Sequence, residues 1–337
     1  MRVWTIKEPG SREQLTLENR DRPEPKDGEI LIQIKAASIN RTDTMTRQNQ
    51  SLVKPYPILG VEVSGVVIEN QSSDSRLDPG TKVAGLVNHG GYAEYVTMPA
   101  DRAIIFHDSL SMEEAVAIPE VFLTAYQTLY WLGELKPKQK VLIHAGGSGV
   151  GTAAIQLARH LSEACIFTTA GQDHKLSVAK ELGADHVINY KEESFDKIVS
   201  NLTDNKGVDV ILDFVGASYW DKNLSSCALD ARWVLIGALG GTTVEQVSLM
   251  QLMQKRISLK GTLLTPRSDD YKAELTKEFV EKAMPLIEAG TIKPIIHSVL
   301  PFEEAKEAHR QMEDNENTGK IILRVSECQG QYKIVGL

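Results

Sequence analysis

The stretch VLIHAGGSGVGTAAIQLARHL, residues 141–161, joins an apolar run, a cluster of glycines and an amphipathic segment. A strand, a glycine-rich turn and a helix in this order are typical of a dinucleotide-binding βαβ unit, in which a G-x-G-x-x-G turn holds a diphosphate at the helix N-terminus. Gly146 and Gly151 occupy the first and third glycine positions, but Ser148 occupies the second. Both neighbours of this serine are glycines, so backbone N–H groups can still converge on a phosphate, and the serine hydroxyl can donate to it. The stretch predicts a diphosphate-binding loop; a purely structural turn is the alternative.

The pattern of apolar and polar residues differs between the first third of the chain and the part that contains this loop. Up to about residue 115, short apolar runs such as EILIQIKAASI and EVSGVVIEN alternate with turn clusters such as PKDGE, which predicts β-strands. From Val121 onward, apolar runs alternate with amphipathic helical segments as far as Leu264. That alternation is typical of βαβ crossovers and a parallel sheet with helices on both faces. We predict an α/β fold with a doubly wound Rossmann domain over residues 122–264.

The remaining segments are expected to complete a second, β-rich domain. After Leu264 we predict a long helix over DDYKAELTKEFVEKAMPLIEAG, a strand at IIHSVL, a short helix at EEAKEAHRQM and a final strand at GKIILRV. Six strands already fill a doubly wound sheet, so these pieces are assigned to the first domain, which then comprises residues 1–121 and 265–337. Within the Rossmann domain, a helix is predicted over SYWDKNLSSCALD before the strand RWVLIGA.

Composition narrows the class of partner. The chain has 337 residues, 42% hydrophobic and 24% charged, with a formal net charge of −8. Such values are typical of folded soluble proteins and disfavour nucleic acid or anionic membranes as partners, which leaves a small molecule. The cysteines Cys165, Cys227 and Cys328 are too far apart to suggest a disulfide framework or a C-x-x-C metal pair. The N-terminal segment lacks the apolar core of a signal peptide, so a cytoplasmic location is expected.

The end of the second Rossmann strand bears on the choice of cofactor. NAD enzymes place Asp or Glu there to hold the ribose 2′-hydroxyl, but no acid lies between Cys165 and Gln172. Lys175, with His174 as a further candidate, and Tyr190 could bind a 2′-phosphate instead. Each of these residues could also be an ordinary surface or strand residue, and the nearby Asp173 opposes a phosphate. Together with the missing acid, they favour NADPH over NADH.

Several longer segments resemble one family. ASINRTDTMTRQ (37–48), PILGVEVSGVV (57–67), GGYAEYVTMPA (90–100) and NTGKIIL (317–323), with the glycine loop, are similar to the zinc-free quinone oxidoreductases of the medium-chain dehydrogenase/reductase superfamily, which include zeta-crystallin. The loop itself is most similar to the stress-inducible branch, where a serine also stands among the glycines. The resemblance implies a GroES-like β-rich catalytic domain beside the Rossmann domain, and a homodimer.

The resemblance also implies a metal-free site. Zinc alcohol dehydrogenases need a thiolate and an imidazole for their catalytic metal and four cysteines for a structural one. Here Asn40 stands at the thiolate position, Val61 replaces the histidine of the G-H-E motif, and no cysteine precedes Cys165. Without a Lewis acid, oxidation of simple alcohols loses its main electrostatic help. We therefore predict an NADPH-dependent quinone reductase, with an alkenal or enone reductase, or a non-catalytic crystallin-like or RNA-binding protein, as alternatives.

The site residues follow from the loop, the cofactor argument and the resemblance. The predicted cofactor-binding residues are Asn40, Thr124, Gly146, Gly147, Ser148, Gly149, Val150, Gly171, Lys175, Tyr190, Gly216, Gly237, Ala238, Leu239, Leu263 and Lys320, with Leu264 as a further neighbour. The candidates for the substrate cleft are Asn40, Asp43, Gln48 and Tyr56. Asn40 and Asp43 could also cap a helix, Gln48 and Tyr56 could serve only packing, and Lys320 could cap a surface strand. No metal ligand and no general acid or base is assigned.

Overall fold

The computed structural model describes residues 1–326, so Cys328 lies outside the described residues. The chain divides into two compact units. Of the described residues, the first unit contains Met1–Val116, Ser298–Glu316 and 321–326, and the second contains Ala117–His297 with Asn317–Lys320.

The strands are β1 (Arg2–Ile6), β2 (Leu15–Asn19), β3 (Glu29–Ile39), β4 (Glu62–Asn70), β5 (Lys82–Leu86), β6 (Tyr95–Pro99), β7 (Ile104–Ile105), β8 (Lys140–Ile143), β9 (Cys165–Ala170), β10 (His186–Asn189), β11 (Val208–Asp213), β12 (Cys227–Leu235), β13 (Ser258–Gly261), β14 (Ile296–Pro301) and β15 (Lys320–Arg324). The helices are α1 (Arg41–Gln48), α2 (Met112–Val116), α3 (Pro119–Tyr126), α4 (Gly149–Ser162), α5 (Asp173–Glu181), α6 (Phe195–Leu202), α7 (Trp220–Ser226), α8 (Leu249–Lys255), α9 (Asp269–Lys282), α10 (Met284–Glu288) and α11 (Ala305–Glu313), and a π-helical turn, Gln127–Leu132, continues α3.

The first unit is built on an antiparallel sheet. Its strand order is β14-β15-β3-β4-β5-β7, with β6 paired to β3 and a separate hairpin of β1 and β2. Apolar residues of β3, β4 and β15 pack with Phe302 and α11 in one buried cluster. This agrees with the predicted β-rich domain of the GroES-like type.

The second unit is the predicted doubly wound fold. Its sheet has the order β10-β9-β8-β11-β12-β13, and every neighbouring pair is parallel. The strand order reverses between β8 and β11, and ligands of such sheets bind outside the carboxyl ends of the strands at this point. The glycine loop follows β8 directly, so the topology places it at that edge.

Two predicted helices have different bounds in the structure. The helix predicted over SYWDKNLSSCALD ends at Ser226, because Cys227 already pairs with Val208 at the start of β12. The long helix predicted after Leu264 is split into α9 and α10. Pro285 lies in the first turn of α10, and a proline lacks the N–H that a continuous helix would need there.

The predicted domain boundary at residue 264 also differs from the observed division. Residues 265–297 belong to the compact second unit rather than to the first. The reason is aromatic packing: the Phe279 ring of α9 lies 6.2 Å from the Phe122 ring and 6.0 Å from the Tyr126 ring, both on α3. A complete sheet therefore does not exclude further helices from its domain.

Candidate dinucleotide site

Ser148 caps the helix that follows the glycine loop. Its backbone is extended, with φ −74° and ψ 166°, and its hydroxyl accepts a hydrogen bond from the N–H of Gly151 at 3.0 Å. An N-cap serine satisfies one of the backbone donors that a helix start leaves unpaired. Because φ is negative, no glycine is needed at this position. The serine thus replaces the middle glycine without conformational cost.

The outer glycines are required by close contacts. A Cβ on Gly146 would lie 2.1 Å from Oγ1 of Thr168, and one on Gly151 would lie 2.2 Å from the carbonyl oxygen of Ala145. The N–H of Gly146 donates to the carbonyl of Thr169 at 2.9 Å, which ties the loop to the end of β9. Close packing therefore favours glycine at both positions, whereas the tight-turn role of Gly146 stays a prediction.

The start of α4 can bind an anion. Gly149 and Val150 are its first two residues, and N–H groups at these positions have no acceptor within the helix. Its first turn has no acidic side chain, and the helix is 14 residues long. The partial positive charge at a helix N-terminus is therefore not cancelled locally.

The segment 317–320 lies against the glycine loop. The N–H of Gly319 donates to the carbonyl of Gly147 at 3.0 Å, and Gly319 forms a parallel backbone bridge with Ser148. Lys320 is 3% exposed, and its Cδ lies 3.0 Å from the position of a Cβ on Gly149. Sequence reasoning identified Lys320 but missed this backbone contact, for which no local pattern exists.

Cationic and phenolic side chains meet beside the carboxyl end of β9. A Cβ on Gly171 would lie 2.6 Å from the hydroxyl of Tyr190 and 3.0 Å from Cε of Lys191. The aliphatic part of Lys175 lies along Gly147, since a Cβ there would be 2.7 Å from its Cβ and 2.8 Å from its Cδ. Lys191 was missed, although its position next to Tyr190 was an available signal.

His174 and Asp173 are close to Lys175 in sequence, and the sequence left open how they bear on a 2′-phosphate. The structure gives them different surroundings. His174 is exposed on α5. Asp173, whose charge argues against a phosphate, accepts a long hydrogen bond of 3.5 Å from Nδ2 of Asn189. That bond ties one oxygen of the Asp173 carboxylate to Asn189, the last residue of β10.

A buried histidine, which sequence reasoning also missed, joins the loops. His144 is fully buried, with Nδ1 2.9 Å from Oγ1 of Thr169 and Nε2 2.7 Å from Oδ1 of Asn223. Burial lowers the pKa of His144, so the neutral ring donates from Nε2 to the Asn223 oxygen and accepts at Nδ1. Asn223 in turn donates to Oδ2 of Asp213 at 3.0 Å. The chain of bonds runs from β9 to β11.

Asp213 organises the loops after β11 and β12. Its Oδ1 accepts from the N–H of Gly216 at 3.0 Å, and its carbonyl accepts from the N–H of Gly237 at 3.3 Å. Gly216 has φ +78°, a conformation that favours glycine, and a Cβ there would lie 3.1 Å from Cα of Ala238. The predicted residues Gly216, Gly237 and Ala238 are thus brought together.

The remaining predicted residues of the second unit differ in exposure. Leu239 is 67% exposed and Leu263 is 65% exposed, whereas Leu264 is buried. Thr124 is buried within α3, and its carbonyl accepts from the Thr128 hydroxyl at 2.7 Å. Their exposure shows that Leu239 and Leu263 do not belong to the core, and their cofactor-binding role stays a prediction.

In the first unit, Asn40 has the capping role, one of the two that the sequence left open, and its site role stays a prediction. It is the N-cap of α1, and its N–H donates to Asp43 at 2.8 Å. Its side-chain Nδ2 donates to Oε1 of the buried Glu62 at 2.8 Å, and Ser38 donates to the same oxygen. The Asn40 amide is therefore held in one orientation.

Asp43 is an acceptor inside the core. Its carboxylate accepts from the N–H groups of Asn40 and Gly60 and from the hydroxyl of Tyr92, at 2.8, 3.1 and 3.0 Å. Burial and the Asp43 charge hold the pKa of Tyr92 well above its usual range. These contacts support the capping role for Asp43.

Gln48 and Tyr56 have contacts away from this group. Nε2 of Gln48, at the exposed end of α1, donates to Oε1 of Glu313 at 2.9 Å. Tyr56 packs partly buried against the core of the first unit, with the Lys54 ammonium 5.8 Å from its ring centre. Their substrate role stays a prediction.

Comparison with known proteins identifies the family. Residues 26–108 match the alcohol dehydrogenase GroES-like domain, and residues 149–281 match the zinc-binding dehydrogenase model. The human synaptic vesicle membrane protein VAT-1 homolog is 31% identical over 333 residues, which cover 93% of this chain and 84% of that protein. The chain belongs to the medium-chain dehydrogenase/reductase superfamily of oxidoreductases, as predicted. Its place in the stress-inducible branch stays a prediction.

Solved structures give the same assignment. An NAD-dependent alcohol dehydrogenase is 31% identical with a TM-score of 0.85, covering 97% of this chain and 100% of that one. The Escherichia coli quinone oxidoreductase complexed with NADPH is 28% identical with a TM-score of 0.87, covering 96% and 100%.

Residues 1–326 contain neither a metal-binding cluster nor a helix suited to cross a membrane. Within residues 1–326, no group of three or more His, Cys, Asp or Glu side chains is arranged to hold a metal ion. Over the same residues, no helix combines the length and apolarity needed to cross a bilayer.

Proposed function

We propose that this protein is an NADPH-dependent oxidoreductase that reduces quinones. The observation that carries the proposal is the group formed by Lys175, Tyr190 and Lys191 around Gly147 and Gly171, beside a β9 strand that ends without an acid. Two ammonium groups and a phenol suit a ribose 2′-phosphate. An NAD-specific site would instead present a carboxylate to the 2′-hydroxyl.

The loop residues fit the rest of a dinucleotide. Gly149 and Val150 would direct their N–H groups at the diphosphate, and Lys320, next to Gly149, would supply positive charge. Gly216, Gly237 and Ala238, which Asp213 holds together, would border the cofactor farther along the sheet edge. The bound cofactor supplies a hydride. The chain's own residues bind and orient it.

A quinone suits a site in which we predict no metal. Reduction of a quinone gives a phenolate-like anion whose conjugate acid has a pKa of about 10, as for tyrosine, so water can complete the protonation. Catalysis would then consist mainly of orientation of the acceptor. Asn40, fixed by Glu62, would supply an oriented amide. The name of the Escherichia coli relative supports this acceptor class.

A homodimer and a cytoplasmic location belong to the same proposal. The β13 strand is an edge of its sheet, and its Leu259 is 40% exposed. On the preceding α8, Leu249, Met250 and Met253 are 60–68% exposed. Apolar side chains concentrated at a sheet edge are typical of an interaction surface, which supports association of two copies there.

Steady-state kinetics test the function. We expect turnover of ortho- and para-quinones with NADPH, with kcat/KM at least tenfold higher than with NADH because of the 2′-phosphate contacts. Alkenals and simple aldehydes, assayed in parallel at equal concentration, are the controls for the acceptor class. A clear preference for alkenals would replace the quinone assignment, and a preference for NADH would refute the cofactor assignment.

A further inference from the structure

The hydroxyl of Thr318 is a buried polar group without a protein partner. Thr318 is 8% exposed, and its Oγ1 is shielded from solvent and makes no hydrogen bond to any of residues 1–326. A hydroxyl that loses water without gaining a hydrogen bond destabilises the folded state, and few are found in native proteins. A ligand oxygen would satisfy this group.

Thr318 lies beside the diphosphate loop. The next residue, Gly319, donates its N–H to the carbonyl of Gly147 at 3.0 Å and bridges to Ser148. Consecutive Cα atoms are about 3.8 Å apart, so Thr318 is one residue from the loop and from the start of α4. Its own N–H is directed at Nδ1 of His297, 3.4 Å away, which leaves the hydroxyl as its unsatisfied donor.

The segment that carries Thr318 is fixed before any ligand binds. Asn317 donates from Nδ2 to the carbonyl of Gly319 at 2.7 Å, and the N–H of Lys320 donates to the carbonyl of Ile295 at 2.8 Å. Gly319 has φ +76°, and a Cβ there would lie 2.1 Å from the Ile295 carbonyl oxygen. A backbone segment held this way loses little conformational entropy on binding.

We propose that Thr318 is a cofactor-binding residue whose Oγ1–H donates to a diphosphate oxygen held at the N-terminus of α4. The inference rests on the proposed function and adds a donor that lies outside the glycine loop. The N–H groups of Gly149 and Val150, the Lys320 side chain and the Thr318 hydroxyl then surround the same anion. Two structural elements, distant in sequence, share the diphosphate.

The test compares Thr318→Val, which keeps the shape and removes the hydroxyl, with Thr318→Ser, which keeps the hydroxyl. Titration calorimetry on the full chain measures Kd for NADPH, for pyrophosphate and for 2′-AMP, which has the 2′-phosphate but no diphosphate. We expect Thr318→Val to raise Kd for NADPH and pyrophosphate about tenfold, as for the loss of one hydrogen bond to a charged group. Binding of 2′-AMP should not change, and Thr318→Ser should bind like the wild type.

The thermal stability of the ligand-free variant is a second measurement, and it should not fall when the ligand affinity falls. Valine removes an unpaired buried hydroxyl, so the Tm of ligand-free Thr318→Val should equal or exceed that of the wild type. A merely structural threonine would lower Tm and weaken all three ligands together. If valine impairs folding, Thr318→Ala gives the same comparison without the added methyl group.

The outcomes separate the two proposals. Unchanged NADPH and pyrophosphate affinities in Thr318→Val would overturn the inference, as would an equal loss of 2′-AMP binding. Suppose that the wild type binds pyrophosphate but not NADPH, and that Thr318→Val weakens pyrophosphate binding as predicted. This result would refute the proposed function and leave the anion site in place. A wild type that binds neither would refute both.

Discussion

Ser148 departs from the glycine motif, yet the turn and the start of the following helix keep their conformation. The position has a negative φ, so a side chain is tolerated, and the hydroxyl caps α4 by accepting from Gly151. Sequence reasoning correctly judged that the serine does not abolish the loop, because flanking glycines and a following helix were visible in the sequence. In the structure the oxygen accepts from the helix, and a hydroxyl can donate and accept at the same time, so its expected donation to a phosphate stays a prediction.

The lysines beside β9 give a prediction for single residues. Lys175→Met keeps the aliphatic stem against Gly147 and removes the charge, and Lys191→Met does the same near Gly171. Each should weaken NADPH about tenfold, near 1.4 kcal/mol, and leave NADH unchanged. Fluorescence titration of both cofactors measures the ratio.

The control for these variants is Lys197→Met, an exposed lysine of α6. It should bind both cofactors like the wild type. If Lys175→Met or Lys191→Met shows the wild-type ratio of affinities, the corresponding lysine does not contact the 2′-phosphate.

Among the secondary-structure elements, those with strong local signals were predicted well. The alternation of apolar runs and amphipathic segments gave the six parallel strands, and the sheet order agrees with a doubly wound fold. The break between α9 and α10 was missed although Pro285 was visible, because the apolar periodicity continues past it. The start of β12 at Cys227 was missed because pairing with β11, rather than local propensity, decides it.

Other features could not be predicted because they join distant residues. The bonds from Thr169 through His144 and Asn223 to Asp213 connect β9, the loop after β8, α7 and β11 without a sequence motif. In the sequence, His144 cannot be distinguished from any other polar residue next to a strand, because its hydrogen-bond partners are distant along the chain. The same holds for the contact of Gly319 with Gly147.

The junction of the glycine loop with α4 gives a prediction for an element. In Gly151→Ala the new Cβ would lie 2.2 Å from the carbonyl oxygen of Ala145, so α4 must shift. We expect the free energy of unfolding to fall by about 3 kcal/mol, as for overpacking against backbone, and NADPH binding to weaken as well. Urea denaturation measures the stability.

A matched control uses the glycine of β13. A Cβ on Gly261 meets no atom within 4 Å, so Gly261→Ala should change stability by less than about 0.5 kcal/mol. Equal stabilities of the two variants would contradict the close-packing role of Gly151.

At the scale of the whole molecule, stability should depend on a buried network in the first unit. Nδ1 of His309 lies 2.8 Å from Nη1 of the buried Arg47, and its Nε2 lies 3.3 Å from the Tyr92 hydroxyl. Arg47 also pairs with Glu313, and Tyr92 donates to Asp43 at 3.0 Å. Burial, with the Arg47 charge, lowers the pKa of His309 to about 3.

This pKa predicts loss of stability in mild acid. The folded state does not protonate His309 until about pH 3, whereas an unfolded histidine binds a proton near pH 6.5. The free energy of unfolding should therefore fall by about 1.4 kcal/mol per pH unit below roughly pH 6.5 on account of this one residue. His309→Gln should reduce that slope, as urea denaturation at pH 7, 6, 5 and 4 would measure.

The pKa of the buried His144 is also lowered. In His309→Gln, His144 therefore still contributes to the fall of the free energy of unfolding in acid. Identical slopes for wild type and His309→Gln would contradict the neutral state assigned to His309.

The contact of Gly319 with the carbonyl of Gly147 has a consequence for synthesis on the ribosome. The βαβ segment around Gly147 is translated long before Gly319, and domains fold from the N-terminal side as the chain emerges. The nascent Rossmann sheet can assemble early, but its nucleotide loop lacks its last neighbour until residues 317–320 leave the exit tunnel. The proposed nucleotide site is therefore complete only after residues 317–320 have been made and have reached the loop.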